Sequence, residues 1–215
     1  MLQVKFLEKK EIAQNTWQFM FEKPSGFAFV AGQFTTLYMG DDNRDFTICA
    51  ESYNKKTFSI VTKSGISEFK KKLFFLKKNT KILMNKPSGG FLYNKNKTPK
   101  VFLAGGVGIT VFYSIICSNR NIKTPITLLA SFSKKENIIF QKELEEIQKK
   151  NENIKVIYSL SRISQDLIQK HIPNFLQAEY MIAGGEQMVY DMEDLLLKMN
   201  IPQGKIRMDI FTGYK

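Results

Sequence analysis

"VFLAGGVGIT", residues 101–110, decides how the rest of this chain is read. Four apolar residues run into a glycine cluster, the pattern of a buried strand that delivers a tight turn. The usual dinucleotide spacing G-x-G-x-x-G begins with Gly106 and Gly108 but meets Val111 at its third position. Position supplies what the spacing lacks. The following "ITVFYSIICSN" is apolar at helical intervals, so the turn joins a strand to a helix, where backbone amides and the helix N-terminus attract phosphate. Adjacent glycines let a pyrophosphate come close to the backbone, and Thr110 offers a hydroxyl where the helix opens.

Downstream the pattern repeats. "PITLLASF", "IKVIYSL", "AEYMIAGG" and "GKIRMDIF" read as strands, and "NIIFQKELEEIQKK", "SQDLIQKHI" and "EQMVYDMEDLLLKM" as amphipathic helices between them. Strands alternating with helices predict a parallel sheet covered on its faces. Gly184 and Gly185 form a second glycine turn between strand and helix, and two such turns at the carboxyl ends of parallel strands favour one shared ligand cleft. Upstream, "TWQFMFE", "QFTTLYM", "TFSIVTK" and "TKILMNK" are short alternating runs broken by "KPSG", "GDDN", "SYNKK" and "KPSGG". That punctuation predicts a small antiparallel barrel, with one helix at "SEFKKKLFFLKK", where Phe69, Leu73 and Leu76 recur at helical spacing. The polar "YNKNKTPK" marks the boundary. The expected architecture is an antiparallel β-barrel domain over residues 1–98, followed by a parallel-sheet α/β domain over residues 99–215.

Composition narrows the chemistry. With 215 residues, 43% of them hydrophobic, the chain can bury one large core or two ordinary ones. No run reaches the roughly 18 consecutive apolar residues of a membrane span, and "MLQVKFLEKKEIAQ" lacks a signal-peptide core, so the expectation is a cytoplasmic protein without a membrane span. Two distant cysteines, Cys49 and Cys117, and the single His171 give neither an iron–sulfur nor a zinc pattern, so no metal is expected and redox chemistry would need an organic cofactor. Residues 1–98 carry 17 basic against 8 acidic side chains, most of the formal +12 charge. Such a field attracts acidic partners. Lysines dominate it without aromatics stacked among arginines, which argues against sequence-specific nucleic-acid binding.

Seven stretches in order carry a resemblance: "FAFVAGQF" (27–34), "RDFT" (44–47), "SEFKKKL" (67–73), "PSGGF" (87–91), "AGGVGIT" (104–110), "IAGGEQMV" (182–189) and "FTGY" (211–214). Nearly the whole chain resembles the ferredoxin–NADP reductase-like family of FAD and NAD(P)H oxidoreductases, in its short single-flavin form without an iron–sulfur domain. The resemblance implies that FAD is held by the barrel. Arg44 would pair with flavin phosphate beside Asp45, Phe46 and Thr47 would lie along the isoalloxazine, and Ser67 would cap the helix facing the pyrophosphate. Phe46 stands where the family usually has tyrosine, and Val111 where it has proline. On the nicotinamide side the resemblance implies Gly106, Gly108, Thr110, Gly184 and Gly185. Ser131, Lys134, Ser161 and Arg162 are positioned to receive a 2′-phosphate, which favours NADPH, with NADH possible. Tyr214 would shield the flavin, and with Thr47 completes the expected catalytic pair; Asp209 stands where relatives often have glutamate. The implied activity is hydride transfer from NAD(P)H to FAD. Electrons would then pass to a separate acidic carrier, such as ferredoxin or flavodoxin, or to an oxygenase component. Two other readings stay open: a reductase of diffusible flavin, and a nonenzymatic FAD-holding electron-transfer subunit.

Overall fold

The computed structural model describes residues 1–50, 54–119 and 121–212. It divides into two compact units, Met1–Tyr93 with Tyr113–Asn119, and Asn94–Phe112 with the chain beyond Asn119.

The first unit is a six-stranded antiparallel, barrel-like sheet. Its strands are β1 (Leu2–Ala13), β2 (Thr16–Glu22), β3 (Phe34–Met39), β4 (Asp42–Thr47), β5 (Thr57–Lys63) and β6 (Lys81–Met84), in the order β4-β3-β6-β1-β2-β5. Alternation drives the folding of β2 and β3, whose Phe19, Phe21, Leu37 and Met39 turn into a core that excludes water. Phenylalanine fills much of that core: Phe21 stacks on Phe58 at 5.4 Å between ring centroids, and Phe58 on Phe27 at 4.9 Å. Helix α1 (Glu68–Phe74) adds Phe69 and Leu73. Its start is set by Ser67, whose hydroxyl accepts a hydrogen bond from the Lys70 N–H at 3.3 Å. Leu76 lies past the helix but packs against the same core.

The second unit is a five-stranded, wholly parallel sheet: β7 (Lys100–Gly105), β8 (Ile126–Ser131), β9 (Ile154–Ser159), β10 (Glu179–Gly185) and β11 (Ile206–Phe211), ordered β11-β10-β7-β8-β9. The helices after β7 are α2 (Ile109–Ser118), of which Tyr113–Ser118 belong to the first unit, and α3 (Gln141–Lys150), α4 (Gln165–His171) and α5 (Glu186–Lys198) in the second. Central strands β7 and β10 are buried almost throughout, as parallel strands covered on both faces must be. One helix starts later than its pattern predicts. Ile138 is extended and Phe140 takes a left-handed φ of 59°, so α3 opens only at Gln141.

At the amino end of the sheet lies a polar exception to the apolar core. Lys100, 1% exposed, is ion-paired with Glu179 at 2.9 Å, donates to the Thr98 carbonyl at 2.8 Å and bonds the Asn96 side chain. The Asn96 amide donates to Glu179 at 2.7 Å. Burial by itself would raise the Glu179 pKa; the bonds from Lys100 and Asn96 more than offset it and hold the carboxyl below its ordinary value.

Candidate functional site

In the first unit, β4 splits the sequence-predicted residues between two faces. Arg44 and Phe46 point toward Phe69 of α1: the guanidinium carbon lies 5.8 Å from its ring and the two rings are 5.7 Å apart. Alternation along the strand turns Asp45 and Thr47 the other way, where Asp45 accepts a bond from the Thr36 hydroxyl at 2.6 Å. Arg44 is half exposed and ion-paired with Asp42 at 2.5 Å. Phe46 is partly buried against the phenylalanine core. A half-exposed arginine beside the capped start of α1 suits a phosphate, which would have to draw the guanidinium from Asp42. Cys49 is fully buried, and that burial, with Cys117 beside it, pushes its thiol well up. Such a thiol is a packing group and not a nucleophile.

In the second unit the residues converge on the carboxyl edge of the sheet. The last row contains Ser131 and Ser159 paired across β8 and β9, with Gly105 opposite Ser131 and Gly184 opposite Ile210. The Met188 side chain lies over the two central glycines, its sulfur 3.1 Å from where a Cβ on Gly105 or on Gly184 would stand. The Ser131 hydroxyl donates to the Ser161 carbonyl at 3.0 Å, and the hydroxyls of Ser159 and Ser161 are 3.0 Å apart. Arg162 extends beside this hydroxyl cluster with its side chain 91% exposed, paired with Asp191 at 3.4 Å. Asp191 is itself bonded by Gln187 at 2.8 Å. Lys134 is also exposed.

The two glycines of the opening motif have different physical reasons. Gly106 has a left-handed φ of 52°, and a Cβ placed there would meet nothing within 4 Å, so its backbone faces open space. Gly108 lies against the end of β10: a Cβ there would come within 2.1 Å of the Ala183 carbonyl oxygen. Thr110, 2% exposed, is buried in the first turn of α2. Gly185 caps α5 without any side-chain hydrogen bond and with open space where a Cβ would stand. The first amides of α5 therefore have no side-chain partner at their cap, an arrangement that favours an anion, although Glu186 in the same turn opposes one. Open backbone at Gly106, the uncapped start of α5 and the serine hydroxyls fit the phosphates of a nucleotide.

Two side chains give the sheet a polarity that sequence reasoning leaves without a role. Asp209 on β11 pairs with Ala183, and burial pushes its pKa up to about 6. The Tyr158 hydroxyl on β9 is buried without a hydrogen-bond partner among the described residues, and burial, with Glu145 and Glu143 nearby, raises its pKa. Both stand in the register row that continues through Ala183, Ala104 and Ala130. The alternation of "IRMDIF" could have put Asp209 on the face of Arg207; nothing in the sequence marks Tyr158. Tyr214 lies outside the described residues. Among the described residues no cluster of histidine, cysteine and carboxylate side chains could hold a metal ion. No helix among them is long and apolar enough to cross a membrane.

Residues 102–194 match the oxidoreductase NAD-binding domain family. The chain is 28% identical over 163 residues to NADH-cytochrome b5 reductase 1 of Cryptococcus neoformans var. neoformans, covering 67% of this chain and 51% of that protein. It is 28% identical over 113 residues to NADH-cytochrome b5 reductase 2 of Mycosarcoma maydis, covering 46% and 32%. The chain thus spans about half or less of the length of these relatives. Its fold superposes on a ferredoxin NADP+ reductase from Neisseria gonorrhoeae with bound FAD and NADP at a TM-score of 0.85, with 22% identity over 97% of this chain and 98% of that one. It superposes on the Amycolatopsis cytochrome P450 reductase GcoB at 0.87, with 16% identity over 100% of this chain and 71% of that one. The family match is confined to residues 102–194, and as a whole the chain has the ferredoxin–NADP reductase-like fold.

Proposed function

We propose that the chain is a cytoplasmic NAD(P)H-dependent flavoprotein reductase that passes electrons to a separate acidic carrier. The observation that carries this reading is the carboxyl edge of the parallel sheet, where the open Gly106 backbone, the uncapped start of α5 and the Ser131–Ser159–Ser161 hydroxyls stand together. That edge binds the nicotinamide nucleotide by its phosphates, and Arg162 selects the 2′-phosphate of NADPH. In the first unit Arg44 and the start of α1 hold the phosphates of FAD, and Phe46 and Thr47 border its ring. FAD, when bound, supplies the hydride acceptance and stepwise electron release that no side chain here provides. The protein binds and orients, and alignment of the reacting atoms is its main contribution to rate.

The positive charge of residues 1–98 suits an acidic acceptor through electrostatic steering. Ferredoxin, flavodoxin, an oxygenase component and a cytochrome b5-type haem protein all fit that description, the last because the curated relatives bear that name. Anaerobic titration of the purified chain with NADPH and NADH tests the proposal. Yellow protein that bleaches with one equivalent of nucleotide supports it; protein that takes up no added FAD refutes it. The Arg44–Asp42 ion pair favours one second reading, in which flavin binds weakly and acts as a diffusible substrate. Flavin lost on gel filtration, with turnover restored by adding it back, identifies that case.

A further inference from the structure

Beside α1 the first unit carries an aromatic and basic surface at the edge of its core that the proposed nucleotide sites do not use. Trp17 meets Phe74 edge to face at 5.7 Å, and Phe74 meets the buried Phe19 in the same way at 5.1 Å, which closes the core there. The Lys9 ammonium lies 5.9 Å from the Trp17 ring centre and 5.5 Å from that of Phe74, and bonds the Phe74 carbonyl. The next residue, Phe75, caps the end of α1 with 82% of its surface exposed, while the helix completes its buried stripe with Phe69 and Leu73.

The charged residues that flank Phe75 in sequence within seven positions, Glu68 apart, are all lysines. Lys72 and Lys71 stand three and four residues before Phe75, on its face of the helix, and exposed Lys77 and Lys78 follow it. The single carboxylate of α1, Glu68, is held by Lys71 at 2.6 Å. Glu11, opposite Trp17 in the β1–β2 register, accepts from the Asn15 N–H. A protein-binding hot spot needs neighbours that exclude water around its anchor. Here the neighbours are lysines, a side chain that can cover apolar surface with its stem and present its charge to water; the Lys72 ammonium also donates to the Met39 carbonyl at 3.4 Å. A protruding phenylalanine, a half-buried tryptophan and a surround of lysines match the two requirements of a bilayer surface: aromatic rings at headgroup depth and cations for anionic headgroups.

We propose that this surface docks the protein reversibly on anionic phospholipid, with Phe75 entering the headgroup region and Lys71, Lys72, Lys77 and Lys78 contacting phosphate and carboxylate groups. Trp17 is the only tryptophan in the chain, so its fluorescence reports from the proposed contact. The test is sedimentation of the full chain with phosphatidylcholine vesicles, with and without phosphatidylserine, while Trp17 emission is followed. The expected result is binding only to phosphatidylserine vesicles, weakened by salt, with a blue shift of Trp17 and its quenching by brominated lipid. Phe75→Ser and the double change Lys77→Glu, Lys78→Glu should each lower the partition coefficient on the order of tenfold while leaving the circular dichroism melting curve unchanged. No binding to phosphatidylserine vesicles overturns the proposal, as it would if the surface served an acidic protein instead. Binding that ignores Phe75→Ser, or leaves Trp17 emission unaltered, overturns it as well.

Discussion

A Cβ on Gly108 would stand 2.1 Å from the Ala183 carbonyl oxygen, whereas one on Gly106 would meet nothing within 4 Å. Gly108 therefore packs the start of α2 against β10, and Gly106 leaves backbone open to a ligand. Gly108→Ala must push β10 and α2 apart, so a drop of about 2 kcal/mol or more in unfolding free energy is expected in urea denaturation. Gly106→Ala faces only the cost of a left-handed alanine, about 1 kcal/mol, and should instead weaken nucleotide binding. Equal melting temperatures for the two variants would contradict this division.

That division also shows what the sequence could and could not reveal. β2 and β5 were legible because alternating apolar residues face the core, and their bounds match the predicted runs. β1 escaped notice because its second half, "EKKEIA", has no such alternation; there Lys9 covers aromatic rings with its stem and charge, work usually given to an apolar side chain. β4 read as turn because four of its six residues are charged or amide side chains, held by pairing with β3 and not by burial. The site motifs were visible as local strings. Their reasons were not, since the contact of Gly108 with Ala183 and the pairing of Lys100 with Glu179 exist only once distant strands lie side by side.

The Lys100–Glu179 pair makes a prediction about stability at the amino edge of the sheet. Lys100→Met leaves Glu179 without its cation and should cost about 2 to 4 kcal/mol, while Lys100→Met combined with Glu179→Leu should recover much of the loss. The Glu179 pKa is depressed on folding, so its contribution is present above the unfolded value and is lost as pH falls through the folded one. Denaturation of the wild type and Glu179→Gln across the acidic range measures it. The wild type should lose more stability on acidification than the variant.

Asp209 has the opposite sign. Its pKa rises from 3.8 to about 6 on burial, so the folded state binds the proton more tightly than the unfolded state. Its contribution favours folding at low pH, declines as pH rises from the unfolded value through about 6, and is then a constant cost. Asp209→Asn should therefore melt at a higher temperature than wild type at pH 7, with the difference shrinking below pH 4. If the two curves stay parallel across that range, Asp209 is not buried as described.

Arg162 carries the prediction on nucleotide choice. Its side chain is 91% exposed and its tie to Asp191 is 3.4 Å long, so little holds it back from an incoming phosphate. Arg162→Ala should raise the KM for NADPH about tenfold, the worth of one charge-assisted hydrogen bond, with little effect on the KM for NADH. Asp191→Asn should move NADPH the other way by releasing the guanidinium and removing a negative charge from its side. Ser131→Ala tests the hydroxyl cluster beside it, since that change deletes the bond to the Ser161 carbonyl and should loosen the loop that positions Arg162. Losses that are equal for both nucleotides would show that Arg162 is a solvated surface residue and would place 2′-phosphate recognition elsewhere on the sheet edge.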